Sequence, residues 1–215
     1  MPRLSFLRKI TATGSEPVIR GDGLVLRSPT MDDYRQWAAL RRESREFLKV
    51  WEPTWPADDL SRAAYRRRLK RYQHEVRTDR GYSFFIFRDD ERLLGGLALS
   101  NLRRGVCQCA SLGYWIGAPH ADRGYMTKAV TCLLPFAFAT LHLHRVEAAC
   151  MPENNPSRRL LEKTGFTREG FARKYLQIDG VWRDHILYAI LVDDFEAIGR
   201  NGGDAKPAAG FKPKP

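Results

Sequence analysis

The spacing of apolar and polar residues divides the first half of the chain into short segments of distinct period. The segment "GLVLRSPT" predicts a strand, and Thr30 is suited to cap a helix that begins near Asp32. The run "YSFFIFR" is apolar on both faces, as in buried strands, while "RLLGGLALSNL" and "VCQCASLGYWIG" predict the next two strands. This half of the chain therefore predicts one strand, then helices, then a meander of three strands.

A second helix is predicted by the arginine-rich segment "SRAAYRRRLKRYQHEVRTDR". Its apolar residues Tyr65, Leu69, Tyr72 and Val76 recur at the spacing of one helix face, and the arginines lie between them. The two prolines of "WEPTWP" separate this helix from the one before it. Two interpretations of the basic face stay open: an ordinary solvated surface, or a contact with the ribosome, RNA or another anionic partner.

The second half of the chain alternates helices and strands. Residues 124–140 predict an apolar helix, "HRVEAAC" a strand, and the stretch from Pro156 to Thr164 a helix with Asn155 as its N-cap. An Asp-Gly pair at residues 179–180 indicates a hairpin between the last two strands, "FTREGFARKYLQI" and "VWRDHILYAIL". The order predicts one α/β (α+β) domain over residues 21–194, with a mixed, mostly antiparallel sheet of about seven strands.

Composition adds the flanking segments and the expected surroundings. Residues 1–20 are predicted to be a basic extension, and residues 199–215, rich in Gly, Pro and Lys, a disordered tail. The four cysteines are too few for a disulfide scaffold, which predicts reduced thiols in a cytoplasmic protein, and no spacing of metal ligands is present. We expect no signal peptide and no membrane span. The net charge of +11 favours anionic partners.

Five motifs in a fixed order carry a resemblance to a known family. They are "FLKVWEP" (47–53), "LGYWIG" (112–117), "RGYMTKA" (123–129), "MPENNPSRRLLEKTGF" (151–166) and "YLQIDGVWRDH" (175–185). With them, residues 24–191 resemble the GNAT N-acetyltransferase superfamily, in its branch of ribosomal-protein alanine N-acetyltransferases. The last motif, together with "WEP", points to the RimJ-like subgroup.

The resemblance implies a binding site for acetyl-CoA, with no metal. In such proteins the fourth and fifth strands splay apart, the pantetheine arm pairs with the exposed strand edge, and the pyrophosphate rests on the amides that open the next helix. The family pattern at that helix keeps a glycine that matches Gly124, but Ala121 and Asp122 depart from it. Asp122 is suited to cap the helix and would compete with the pyrophosphate, and Arg123 would offset its charge. The implied binding residues are Trp115, Ile116, Gly117, Ala121, Asp122, Arg123, Gly124, Tyr125, Met126, Thr127, Asn154 and Ser157.

The resemblance also implies the catalytic groups. A free amine attacks the thioester carbonyl, and a backbone N–H near Ile116 stabilises the developing oxyanion. Many relatives place a tyrosine where this chain has Leu161, so Ser157 is the available donor to the leaving thiolate. The alternative for Ser157 is an ordinary serine in the first turn of a helix.

The general base is left among three carboxylates: Glu52, Glu147 and Asp184. An α-amine has a pKa of about 7.7–8.0 and loses its proton at a cost of only about 1 kcal/mol at pH 7, so a water wire is sufficient. We favour Glu52, because it lies in the segment that these folds use as the wall of the acceptor site; its alternative role is to hold the substrate amine. Trp51 and Trp55 either shape that wall or anchor a loop.

Three functions follow as hypotheses. The first is acetylation of a protein N-terminal α-amine, alanine or serine, on a ribosomal protein. The second is acetylation of a small amine. The basic surface argues against a polycation as that substrate, because like charges repel. The third is an RNA- or ribosome-associated binding module with a weak acetyl-CoA site.

Overall fold

The computed structural model describes residues 17–201, with side chains as far as Ile198. One eight-stranded sheet forms the centre. Its strands are β1 (Val18–Gly21), β2 (Leu24–Arg27), β3 (Tyr82–Arg88), β4 (Leu93–Arg103), β5 (Cys109–Ile116), β6 (Arg145–Cys150), β7 (Thr167–Ile178) and β8 (Val181–Leu191). They lie in the order β1-β2-β3-β4-β5-β6-β8-β7.

The helices lie on both faces of this sheet. They are α1 (Tyr34–Glu43), α2 (Arg45–Lys49), α3 (Arg62–Arg77), α4 (Tyr125–Pro135), α5 (Asn155–Lys163) and α6 (Val192–Asn201). The larger core packs α4 and α5 against one face, and the smaller core packs α1 and α3 against the other. The stripe predicted for α3 is confirmed, because Tyr65 and Leu69 are buried in the smaller core. The predicted mixed α/β class, mostly antiparallel, is also confirmed.

The sheet contains one parallel pair, β5 with β6, and this pair separates along its length. Three residues of each strand are paired, Cys109 to Ser111 with Arg145 to Glu147, and the pairing ends there. The remaining part of β5 keeps its antiparallel partner β4 on the other side, up to Ile116 opposite Gly95. The predicted splayed pair is thus present, as the fifth and sixth strands rather than the fourth and fifth.

Three elements were not predicted, and one of them, strand β1, gives the sheet eight strands instead of about seven. Strand β1 lies partly in the predicted extension and forms a tight hairpin with β2. Short α2 follows α1 after Ser44. Helix α6 continues to Asn201, into the predicted tail, and is held by the ring contact of Phe195 with Phe138. The rest of the predicted extension and tail lies outside the described residues.

Candidate functional site

The free end of β5 is the feature around which the candidate site is built. Gly117 N–H donates to Leu94 O of β4 at 2.8 Å. The N–H and C=O groups of successive residues point to opposite sides of a strand. The backbone groups of Trp115 therefore also point to β4, while those of Tyr114 and Ile116 point into the gap toward β6. The prediction placed the free edge at Trp115, Ile116 and Gly117. The structure leaves only Ile116 of these three on the open side and adds Tyr114.

The turn after β5 is fixed by close contact with α1. A Cβ atom added to Gly117 would lie 2.4 Å from Leu40 Cδ1, so only glycine allows this approach. Ala118 N–H donates to Ser44 Oγ at 2.9 Å, and Ser44 is fully buried. The end of α1 therefore sets where the next loop begins.

That loop, residues 118–124, leads into α4 and has the backbone form of an anion cradle. A single 3-10 turn at Ala118–His120 is followed by two residues with left-handed backbone, Asp122 (φ 56°) and Gly124 (φ 75°). Gly124 is the N-cap of α4 and has no side chain, so the predicted capping role of Asp122 is wrong. The amides of the first helical turn, residues 125–127, have no partners within the helix, and such an arrangement favours an anion.

Basic side chains surround this cradle. Burial lowers the pKa of His120, and the nearby charges of Arg123, Arg92 and Arg88 lower it further, against the opposing influence of Glu43. His120 is therefore neutral at pH 7. Arg88 and Arg92 both pair with the Asp90 carboxylate, so the three guanidinium groups leave a positive excess over that one carboxylate. The cradle is thus suited in both shape and charge to a phosphate group.

Ser157 lies across the gap from β5, in the first turn of α5. The helix begins at Asn155, and its N-cap is Asn154, not Asn155 as predicted; Asn154 Oδ1 accepts from Ser157 N–H at 3.1 Å. Ser157 Oγ is 2.7 Å from the hydroxyl oxygen of Tyr114. The predicted residues Asn154 and Ser157 are therefore brought together at the start of α5, where Ser157 meets the Tyr114 side chain of β5.

Two further residues at this gap were missed in the sequence. Burial raises the pKa of Tyr114, while the hydrogen bond with Ser157 acts in the opposite direction. At the end of β6, burial also raises the pKa of Cys150, again against a hydrogen bond with Ser157. The group is therefore neutral at pH 7, with three protonated side chains on three different elements. Nothing in the local sequence indicates their contact.

Glu52 lies on the opposite face of the sheet, in a cluster with Arg41 and Trp55. Its carboxylate accepts from both terminal nitrogens of Arg41 at 2.7 Å and from Trp55 Nε1 at 2.7 Å. The Arg41 guanidinium lies over the Trp55 ring at 4.0 Å and near the Trp115 ring at 5.0 Å. The backbone carbonyl of Glu52 accepts from Asp179 N–H in the β7–β8 turn at 3.0 Å. This Arg41–Glu52–Trp55 clamp joins α1, β5 and the hairpin turn.

The other two candidate bases are also engaged. Glu147 pairs with Arg103 and Arg145, each at 2.9 Å, where β5 and β6 are still paired. Asp184 accepts from the backbone N–H of Lys174 at 2.8 Å. In the part of the chain that the structure describes, no group of three or more His, Cys, Asp or Glu residues has the geometry of a metal site. No helix within residues 17–201 is long and apolar enough to cross a bilayer.

A parallel strand pair that separates beside an open helix N-terminus is the arrangement that the resemblance to GNAT acetyltransferases implies. Comparison with known proteins places the chain among them, since residues 23–167 match the family model described as "Acetyltransferase (GNAT) domain". The chain belongs to the GNAT acetyltransferase family.

Its relatives include N-acetyltransferases of bacteria. The chain is 38% identical over 180 residues to the Bacillus subtilis protein named "Probable N-acetyltransferase YjcK", covering 83% of this chain and 99% of that one. It is 36% identical over 175 residues to the Escherichia coli "[Ribosomal protein uS5]-alanine N-acetyltransferase", covering 81% and 90%. The solved structure of Mycobacterium smegmatis RimJ, in complex with CoA-disulfide, superposes with a TM-score of 0.76 at 33% identity, covering 80% of this chain and 83% of that one.

Proposed function

We propose that this GNAT acetyltransferase transfers the acetyl group of acetyl-CoA to the N-terminal α-amine of a protein, alanine or serine, in the cytoplasm. The observation that carries the proposal is the open edge of β5 at Ile116, with the Ser157 hydroxyl on one side and the amide cradle at its end. The choice of an α-amine as the acceptor rests on the E. coli relative, whose name is that of a ribosomal-protein alanine N-acetyltransferase.

The residues present fit acetyl-CoA, which supplies an acetyl group activated as a thioester. The backbone edge of Tyr114 and Ile116 is free to pair with an extended amide chain. The cradle residues Ala121 to Thr127 are suited to the diphosphate, and a Cβ atom at Gly124 would meet no described atom within 4 Å, so the approach to its backbone is open.

The chain contributes hydrogen-bond donors to the reaction rather than strong acids or bases. Ile116 N–H is placed on the open edge, where it can stabilise negative charge on the carbonyl oxygen. Ser157 offers a hydroxyl to the leaving sulfur. Both groups are fixed by their own elements before any substrate arrives, so they lose little freedom during the reaction.

The contacts of Glu52 favour a positioning role over the predicted role as general base. Both carboxylate oxygens already accept hydrogen bonds, from Arg41 and Trp55. Because an α-amine is partly neutral at pH 7, we propose that its proton leaves through water, and that Glu52 with Trp55 holds the wall of the acceptor site.

A paired peptide assay tests the acceptor. One peptide begins with a free alanine; its partner has the same sequence with a blocked N-terminus and an internal lysine; a polyamine is the third substrate. We expect CoA thiol release only with the free N-terminus. Turnover of the lysine peptide or the polyamine alone would contradict the α-amine proposal. Absence of both turnover and a thermal shift with acetyl-CoA would contradict transfer itself.

We also propose that the basic face of α3 meets an anionic surface such as ribosomal RNA. Arg67 is paired with Asp58, but Arg62, Arg66 and Lys70 are exposed on the same helix. The variant Arg66→Glu/Lys70→Glu should acetylate ribosome-bound acceptor more slowly, with unchanged turnover of the free peptide. Arg173→Glu/Arg183→Glu, which reverses two exposed charges on β7 and β8, is the matched control. Equal loss in both variants would remove α3 as the contact.

A further inference from the structure

Tyr114 and Ser157 form a hydroxyl pair that bridges the gap between β5 and α5. Their oxygens are 2.7 Å apart, although 43 positions separate the residues in the chain. Asn154 holds the Ser157 backbone and Tyr114 holds its Oγ, so the hydroxyl hydrogen is left to rotate about the Cβ–Oγ bond. Its hydrogen direction therefore depends on which groups around it donate and which accept.

A phenol is a stronger hydrogen-bond donor than an alkyl alcohol, and an alcohol oxygen is the better acceptor of the two. Burial keeps Tyr114 in its protonated form, because burial raises its pKa. The phenol hydrogen then occupies one lone pair of Ser157 Oγ. A serine hydroxyl has one hydrogen and two lone pairs, so its own hydrogen is left for a third group, either the Cys150 thiol, which also hydrogen-bonds to Ser157, or the sulfur of bound CoA.

We propose that Tyr114 is a positioning residue that directs the Ser157 hydroxyl hydrogen toward the sulfur leaving the acetyl group. This inference rests on the proposed acetyl transfer. In that reaction the amine nitrogen bonds to the carbonyl carbon, the carbon–sulfur bond breaks, and the sulfur leaves as thiolate. The proton lost by the amine passes to water or to the thiolate. Tyr114 keeps its proton throughout, and Ser157 stabilises the thiolate by a hydrogen bond that Tyr114 orients.

The test combines Tyr114→Phe, Ser157→Ala and the double variant. We expect Tyr114→Phe to lower kcat about three- to tenfold and to leave the dissociation constant of acetyl-CoA within about twofold. The double variant should be no slower than Ser157→Ala alone, because Tyr114 acts only through Ser157. Tyr188→Phe is the matched control: Tyr188 is also buried, and its hydroxyl donates to Glu162 Oε1 of α5 at 3.0 Å rather than to Ser157.

A second measurement does not depend on the acceptor. The ultraviolet absorbance of the thiolate gives the apparent pKa of the thiol of bound CoA. Tyr114→Phe and Ser157→Ala should both raise that pKa, by about half a unit or more, while Tyr188→Phe leaves it unchanged. The proposal is overturned if Tyr114→Phe behaves as wild type, if the two single losses multiply in the double variant, or if Tyr188→Phe gives the same shift. Failure of the wild type to turn over any amine would instead overturn the proposed function, and the thiol pKa would still decide the role of Tyr114.

Discussion

Tyr114 and Trp115 are neighbours on β5, yet their side chains enter opposite faces of the sheet and very different surroundings. Tyr114 meets Ser157 in a group of neutral hydroxyls near the larger core. Trp115 meets Arg41, whose charge is matched by Glu52 and covered by a second ring, Trp55. The strand thus divides a face of neutral, protonated groups from a face of paired charges.

The difference indicates which face takes part in the chemistry. In the buried Arg41–Glu52 pair both terminal nitrogens of the arginine and both carboxylate oxygens are hydrogen-bonded, while Arg41 Nε has no partner. Such a pair holds elements together, and removing one partner costs stability. Neutral hydroxyls at an open strand edge have hydrogen-bonding capacity left for a substrate. Substitutions in the charged face are therefore expected to change stability and acceptor binding. Substitutions in the hydroxyl face are expected to change turnover and to leave acetyl-CoA binding near that of the wild type.

The largest effect is expected for Arg41→Met, which leaves the Glu52 carboxylate without its cation. Arg41 is only 6% exposed, so we expect the free energy of unfolding to fall by about 3 kcal/mol. Arg67→Met is the matched control, since the Arg67–Asp58 pair is exposed and its loss should cost less than about 1 kcal/mol. Urea titrations followed by circular dichroism measure both. Equal losses would show that the clamp is no stronger than a surface pair.

Glu52→Gln separates positioning from base catalysis. Glutamine keeps the shape and one acceptor oxygen, so the free energy of unfolding should fall by about 2 kcal/mol. The KM of the peptide acceptor should rise while kcat stays within about threefold, because the wall shifts and no base is lost. A large fall in kcat with an unchanged KM, recovered at high pH, would return Glu52 to the role of base.

Ser157→Ala tests the hydroxyl face. We expect kcat to fall at least about tenfold, which corresponds to about 1.4 kcal/mol, because the leaving thiolate loses its hydrogen bond. The dissociation constant of acetyl-CoA should stay near that of the wild type. Steady-state kinetics and calorimetry measure the two quantities, and an unchanged kcat would make Ser157 an ordinary helix serine.

Much of the fold was predictable because its signals are local. The stripe of α3 and the helix of Ser157 each follow from a few neighbouring residues, and the splayed strands follow from the family motifs. The contacts that define the site were not predictable in this way. Tyr114 with Ser157, and Arg41 with Glu52, join separate elements, and no periodicity records such contacts. The N-cap of α4 was also missed, because a left-handed glycine can replace the carboxylate that the sequence offers.

The smallest effect is expected in the anion cradle that leads into α4, and its control lies beside the charged clamp. Asp122 adopts a left-handed backbone, with φ of 56°, which glycine takes without strain. Because Asp122 does not cap α4, Asp122→Gly removes a negative charge near the amides at no cost to the helix. Acetyl-CoA should bind about two- to fivefold more tightly at low salt, and the gain should shrink as salt is added.

Asp179→Gly is the control, since Asp179 is also left-handed (φ 44°) but lies in the β7–β8 turn, beside the charged clamp. Calorimetry at two salt concentrations decides: a gain in both variants would be a general charge effect, and weaker binding by Asp122→Gly would mean that the aspartate holds the loop in its binding form.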